Sequence, residues 1–184
     1  MNTAFRPIMT KSVIKGHDIG NYTFGEPSIV GQGNLFVGNF TIFSENVCLA
    51  FLDHSRNELA TAYPFRDLFP DIKMQQALPT KPAEIHIGHD VLIGSNVTVL
   101  AGANIGNGAI VSDGSVISGE IAPYSIVAGN PATLVAMRFA EEWIDALQRR
   151  VQWWDWPIDL ILERAEGLLQ PPGKHLFAYF KPKK

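Results

Sequence analysis

The sequence predicts a mainly β protein: a parallel β-helix that carries an inserted loop and is closed by a helical cap. Three observations carry that prediction. An apolar residue returns at every sixth position, the return stops between residues 54 and 87, and after residue 136 it gives way to a period of four.

Cut from residue 87, the chain reads IGHDVL, IGSNVT, VLAGAN, IGNGAI, VSDGSV, ISGEIA, each block opening with Ile or Val. The fifth positions are Val91, Val97, Ala103, Ala109, Ser115 and Ile121, mostly small or apolar, while Gly, Asn and Asp crowd the positions between. Neither the helical period nor the strand period produces this pattern. A fixed six-residue repeat is the mark of a solenoid in which each block forms one flat face and turns a corner. The aliphatic residue points inward and packs on its equivalent one coil away, about 4.8 Å along the axis. Gly and Asn serve the corners because they tolerate positive φ. Three blocks close a triangle, so one coil takes 18 residues.

Running backwards, Val37, Phe43 and Leu49 open VGNFTI, FSENVC and LAFLDH, and Ile19 opens IGNYTF one coil earlier. Gly25 and Gly31 hold the opening positions between them, with Ile29 and Leu35 filling the fifth, so the early coils are ragged. One coil spans 37–54 and the next 87–104, which leaves 55–86 as a 32-residue loop thrown out from a corner. A loop of that length in a compact domain is functional or disordered. This one holds Leu59, Tyr63, Phe65, Leu68, Phe69 and Ile72, too apolar for a disordered linker, so it is expected to pack against something.

The six-residue frame ends near PYSIVAGNPA, where Pro131 cannot donate to a ladder. Phe139, Trp143, Leu147 and Val151 then recur at intervals of four, an amphipathic helix, and Pro157 suits the first turn of a second helix through Ile158, Ile161, Ala165 and Leu168. The predicted organisation is a β-helix domain over 1–136, with its loop, and a helical extension and tail over 137–184. The helices cover an edge that the last coil would otherwise expose.

Composition removes several function classes. The 184 residues are 46% hydrophobic, enough for one buried core, and a net charge of −3 gives no basic field for nucleic acid. No stretch approaches the roughly 20 apolar residues of a membrane span. A single cysteine, Cys48, forms no internal disulfide and leaves no CxxC pair for zinc, which fits a reducing, cytoplasmic setting.

The hexapeptide blocks, the stretch DHSRNELATAYPF, the segment IAPYSIVAGNPATLVAMRF and the following VQWWDWPI together resemble the xenobiotic acetyltransferases of the left-handed β-helix superfamily. That group includes hexapeptide-type chloramphenicol and streptogramin acetyltransferases. The resemblance implies left-handed coils, acetyl-CoA as donor, a small-molecule acceptor, and a homotrimer with its site between subunits. His54 matches the family's catalytic histidine, and a histidine is chemically suited to strip the acceptor hydroxyl of its proton as it attacks the thioester. Asp53 or Glu58 would orient its ring. Coenzyme contacts carry over to Ser112, Ala128, Asn130, Pro131 and Arg138, the last as a phosphate partner. The family's second basic residue is replaced here by Met137, and a common Trp by Leu92.

Tyr63, Phe65 and Phe69 suit a flat or hydrophobic acceptor, and core packing of the loop explains them equally. His86 and His89 read as solvated corner residues. Three apart, they do not match the five-residue spacing of the zinc-binding γ-class carbonic anhydrases, so no metal is expected. Two other functions fit the repeats: acetylation of a sugar in surface polysaccharide or nucleotide-sugar metabolism, and a non-catalytic scaffold subunit.

Overall fold

Each hexapeptide block becomes a short strand and a turn, and the strands stack into three parallel faces of a triangular prism. The computed structural model describes residues 8–51, 60–61, 63, 65–69, 71–72 and 83–179, the side chains of 66, 67 and 177–179 apart. Numbered in chain order, the first face stacks β1 (Asp18–Ile19), β3 (Asn34–Val37), β6 (Glu84–Ile87), β9 (Asn104–Ile105) and β12 (Glu120–Ile121). The second stacks β4 (Ile42–Phe43), β7 (Leu92–Ile93), β10 (Ile110–Val111) and β13 (Ser125–Gly129). The third stacks β2 (Ser28–Gly31), β5 (Cys48–Phe51), β8 (Thr98–Leu100) and β11 (Val116–Ile117).

The register measures the coil directly. Asp18 faces Phe36, Leu92 faces Ile110 and Thr98 faces Val116, each a step of 18 residues. Across the break Phe36 faces His86, Ile42 faces Leu92 and Cys48 faces Thr98, each a step of 50, so the insertion adds 32 residues without disturbing the pairing on any face. Irregular coils lie at the two ends: Ser28 pairs with Cys48 over 20 residues and Asn104 with Glu120 over 16.

Both apolar positions of the block point inward. Between residues 87 and 117 every opening residue is at most 4% exposed, and Val91, Val97, Ala103, Ala109 and Ser115 are equally buried. Because a strand straddles the block boundary, the coil resumes earlier than the repeat implied. β6 starts at Glu84, Ile85 is fully buried and Ala83 packs on the core, so the expected loop end at residue 86 is corrected to before Ala83. The glycine that turns each first corner is sterically required: a Cβ on Gly38 would stand 2.6 Å from the backbone of Gly88 and His89 in the next coil.

The exit from the prism differs from the expected helix entry. β13 reverses through Asn130–Pro131 into β14 (Ala132–Met137), an antiparallel strand on the outer edge of the second face. Phe139 therefore precedes the helix, and α3 begins at Glu141 and ends at Ala146. The chain continues as a π-helical turn over Leu147–Val151, and a left-handed Gln152 leads into a 3₁₀ turn at Trp153–Asp155. Pro157 is the N-cap of α4 (Ile158–Glu163), not a residue of its first turn, and α5 (Ala165–Leu168) and α6 (Lys174–Tyr179) follow. With α1 (Thr10–Val13) near the start and α2 (Phe65–Leu68) in the insertion, these are the helical elements among the described residues. Tyr124, Leu147, Val151, Trp154 and Leu176 form a second core where the helices meet the last coil.

Candidate active site

The three corners of the prism carry different chemistry. At the third corner, between the third and first faces, the chain leaves β5 at Phe51 and returns at Ala83. His54 lies outside the described residues, as do Asp53 and Glu58. The insertion's described aromatic side chains form a ladder: the Tyr63 and Phe65 rings are 4.7 Å apart and tilted by 60°, and Phe65 and Phe69 are 6.1 Å apart. All three stay about half exposed, as do Leu68 and Ile72, so within one chain this apolar surface is uncovered.

The second corner, between the second and third faces, gathers four of the five expected coenzyme residues. Ser112 N–H donates to Val127 O at 2.9 Å, and Ala128 pairs with Thr133 across the hairpin that Asn130 and Pro131 turn. The buried Ser115 hydroxyl donates to Ser112 O at 2.7 Å and accepts from Gly129 N–H at 3.2 Å, which ties that hairpin to the coil. Asn130 and Pro131 are exposed there, with Ser112 and Ala128 half-buried.

Arg138 does not join them. β14 carries the chain back across the second face, and Arg138 N–H donates to Tyr124 O at the first corner, about 13 Å from the hairpin at ordinary strand rise. Its Nη1 donates to Gly108 O at 2.6 Å and meets Asp90 Oδ2 at 3.5 Å, and its guanidinium lies over the Tyr124 and Phe139 rings at 5.4 and 5.0 Å. Within the chain the side chain fastens the helical cap to the coil. Burial raises the Asp90 carboxyl to about 6, against the opposing pull of Arg138. The Tyr124 phenol is also raised, by burial first and then by the charge of Asp90.

His89 is likewise no solvated corner. Its Nδ1 accepts Asn39 N–H at 2.9 Å, its own N–H donates to Asn107 Oδ1 at 2.9 Å, and its ring stacks on Trp154 at 5.5 Å. Burial lowers its pKa, with Asp155 opposing. His86 is exposed as expected, 4.6 Å from the Phe36 ring and 3.1 Å from Glu84 Oε2. Among the described residues no group of three His, Cys, Asp or Glu side chains converges to hold a metal ion.

A prism of hexapeptide coils is shared with proteins of known name. The family model described as bacterial transferase hexapeptide (six repeats) matches residues 84–119. A probable macrolide acetyltransferase from Lysinibacillus sphaericus is 35% identical over 149 residues, 76% of this chain and 79% of its own length. A chloramphenicol acetyltransferase from Klebsiella aerogenes is 30% identical over 148 residues, 78% of this chain and 69% of its own. A solved hexapeptide-repeat acetyltransferase from Vibrio cholerae, complexed with acetyl coenzyme A, superposes with a TM-score of 0.54 at 23% identity, over 68% of this chain and 62% of that one. Fold and repeat together define a left-handed parallel β-helix of hexapeptide coils. Within that class the chain belongs to the xenobiotic acetyltransferase family, with the macrolide and chloramphenicol acetyltransferases it matches.

Proposed function

We propose that this enzyme transfers the acetyl group of acetyl-CoA to a hydroxyl of a small apolar xenobiotic, in a homotrimer whose sites lie between neighbouring copies. The observation that carries the reading is a separation. The expected donor contacts Ser112, Ala128, Asn130 and Pro131 stand at one corner, and the aromatic insertion leaves from another. Among the described residues one chain does not bring them together, whereas in the proposed trimer the second corner of one copy stands beside the third corner of the next. The uncovered Tyr63, Phe65 and Phe69 then gain a neighbour's surface and the acceptor to pack on.

In this reading His54 is the general base. The acceptor oxygen attacks the thioester carbonyl carbon as its proton passes to the imidazole, and a backbone N–H at a coil corner steadies the oxyanion. Collapse breaks the carbon–sulfur bond, and the proton held by His54 returns to the departing thiolate. The deciding experiment is acceptor-dependent thiol release from acetyl-CoA with chloramphenicol, a streptogramin, a macrolide, and several hydroxy and amino sugars. Release with one of the three antibiotics is expected. Release with sugars alone would move the substrate class, and failure to bind acetyl-CoA would leave a non-catalytic scaffold.

A further inference from the structure

A groove of about 510 Å³ runs along the outer side of the first face where it meets the first corner, the corner that the proposed transfer site does not use. Its floor is bare, because Gly20, Gly38, Gly88 and Gly106 take the same place in four successive coils. One wall is a file of side chains in register: Asp18, Phe36, His86 and Asn104. The other, at the corner, includes Asn39, His89 and Asn107. Each wall repeats at the coil step of about 4.8 Å. The volume falls within the roughly 300–1,000 Å³ usual for ligand sites.

Three features decide what the groove can take. The Phe36 and His86 rings stack at 4.6 Å, tilted by only 13°, and stay open to solvent, Phe36 at 36% and the His86 side chain at 47%. The core is built by Leu35, Val37, Ile85 and Ile87 on the other side of the same strands, so this aromatic step is a flat apolar surface offered outward. The two imidazoles leave opposite atoms available. His86 Nε2–H donates to Glu84 Oε2 at 3.1 Å, which leaves Nδ1 as an acceptor, whereas His89 Nδ1 accepts Asn39 N–H at 2.9 Å, which leaves Nε2–H as a donor. Charge is the third feature. Asp18 lines the groove, Glu84 stands beside His86, and none of the described lining residues is a lysine or arginine, so an anion would meet only carboxylates.

We propose that the groove binds a short neutral saccharide laid along the axis of the prism. One sugar ring rests its C–H face on the step of Phe36 and His86. Hydroxyls of that ring and its neighbours donate to His86 Nδ1 and the Asp18 carboxylate and accept from His89 Nε2–H. A flat heteroaromatic would match the aromatic step but not the polar groups that continue the file, Asp18 one coil before it and Asn104 one coil after. This site is independent of the acetyl-transfer reading and would stand if that reading failed.

The test titrates the full-length protein, without acetyl-CoA, with cellopentaose, maltopentaose and N-acetylchitopentaose as neutral probes and pentagalacturonic acid as an acidic one, read by calorimetry. At least one neutral probe is expected to bind at millimolar concentration, and the acidic probe at least about tenfold more weakly. Phe36→Ala, at an exposed position, is expected to keep the circular dichroism spectrum and to weaken the neutral probe about tenfold. His86→Phe, a second variant, keeps the step and removes the acceptor, and is expected to weaken it about threefold or more. Undiminished binding in either variant would put the sugar elsewhere on the molecule and overturn the proposal, as would stronger binding of the acidic probe or no binding of any neutral probe.

Discussion

At position 89 an imidazole stands where the coils on either side carry an asparagine. Asn21 N–H donates to Asn39 Oδ1, Asn39 N–H to His89 Nδ1, and His89 N–H to Asn107 Oδ1, so one acceptor per coil runs down the first corner. Nδ1 accepts only in the neutral ring, with the proton on Nε2. The folded chain therefore resists protonation at His89, in line with its lowered pKa. The unfolded chain takes up that proton near pH 6.5, so the stability His89 contributes is present above about 6.5 and falls as the pH drops below it. His89→Asn supplies an oxygen acceptor with no charge change and is expected to flatten the loss of thermal midpoint between about pH 6.5 and 5. Parallel curves for the two proteins would show that the ring is not the acid-sensitive link. The role of His89 was illegible in the sequence because it depends on Trp154, brought over the ring by the cap. The intrachain contacts of Arg138 were hidden for a related reason. Its motif was visible, but the reversal of β14 that returns it to Asp90 has no periodic signature.

Among the elements, the period of the coils was legible and the course of the cap was not. An opening and a fifth residue both turned inward give two readable marks in every six, and the 32-residue excess counted from the repeat is the excess seen in the register. β14 escaped notice because Leu134, Val135 and Met137 are all exposed, which leaves no alternation to read. The period-four set in the cap was half right: Leu147 and Val151 are buried, while Phe139 lies before the helix. Where cap and coil join, Asp90 provides a pH test of opposite sign. Its raised folded pKa means that the folded chain holds this proton longer than the unfolded one, so its contribution is fully present below about 3.8 and is lost as the pH rises to about 6. Asp90→Asn fixes the side chain in a neutral form. It is expected to gain stability at pH 7, on the order of 1 kcal/mol for a side chain that keeps partial exposure, and to gain nothing near pH 4. Chemical denaturation at the two pH values checks this, and a loss at pH 7 would mean that the Arg138 pairing outweighs the burial of the charge.

For the whole molecule the account requires a partner. In the proposed reading, an aromatic insertion left half exposed and the expected donor and acceptor residues on different corners describe a chain that completes its site by association. Light scattering or equilibrium sedimentation is expected to give roughly three times the chain mass of 20.3 kDa, and a monomer at assay concentration would remove the intersubunit site. The family and the reaction class were legible in the repeat and its flanking motifs. The acceptor was not, because side chains that would recognise a flat apolar ring are the same ones that would pack a loop. The most direct measurement is the rate of acceptor-dependent thiol release from acetyl-CoA by the native protein and by His54→Ala. The account expects kcat to fall by about 10²- to 10⁴-fold, with the trimer and the affinity for acetyl-CoA unchanged; undiminished turnover in the variant would contradict the role of His54 as the base.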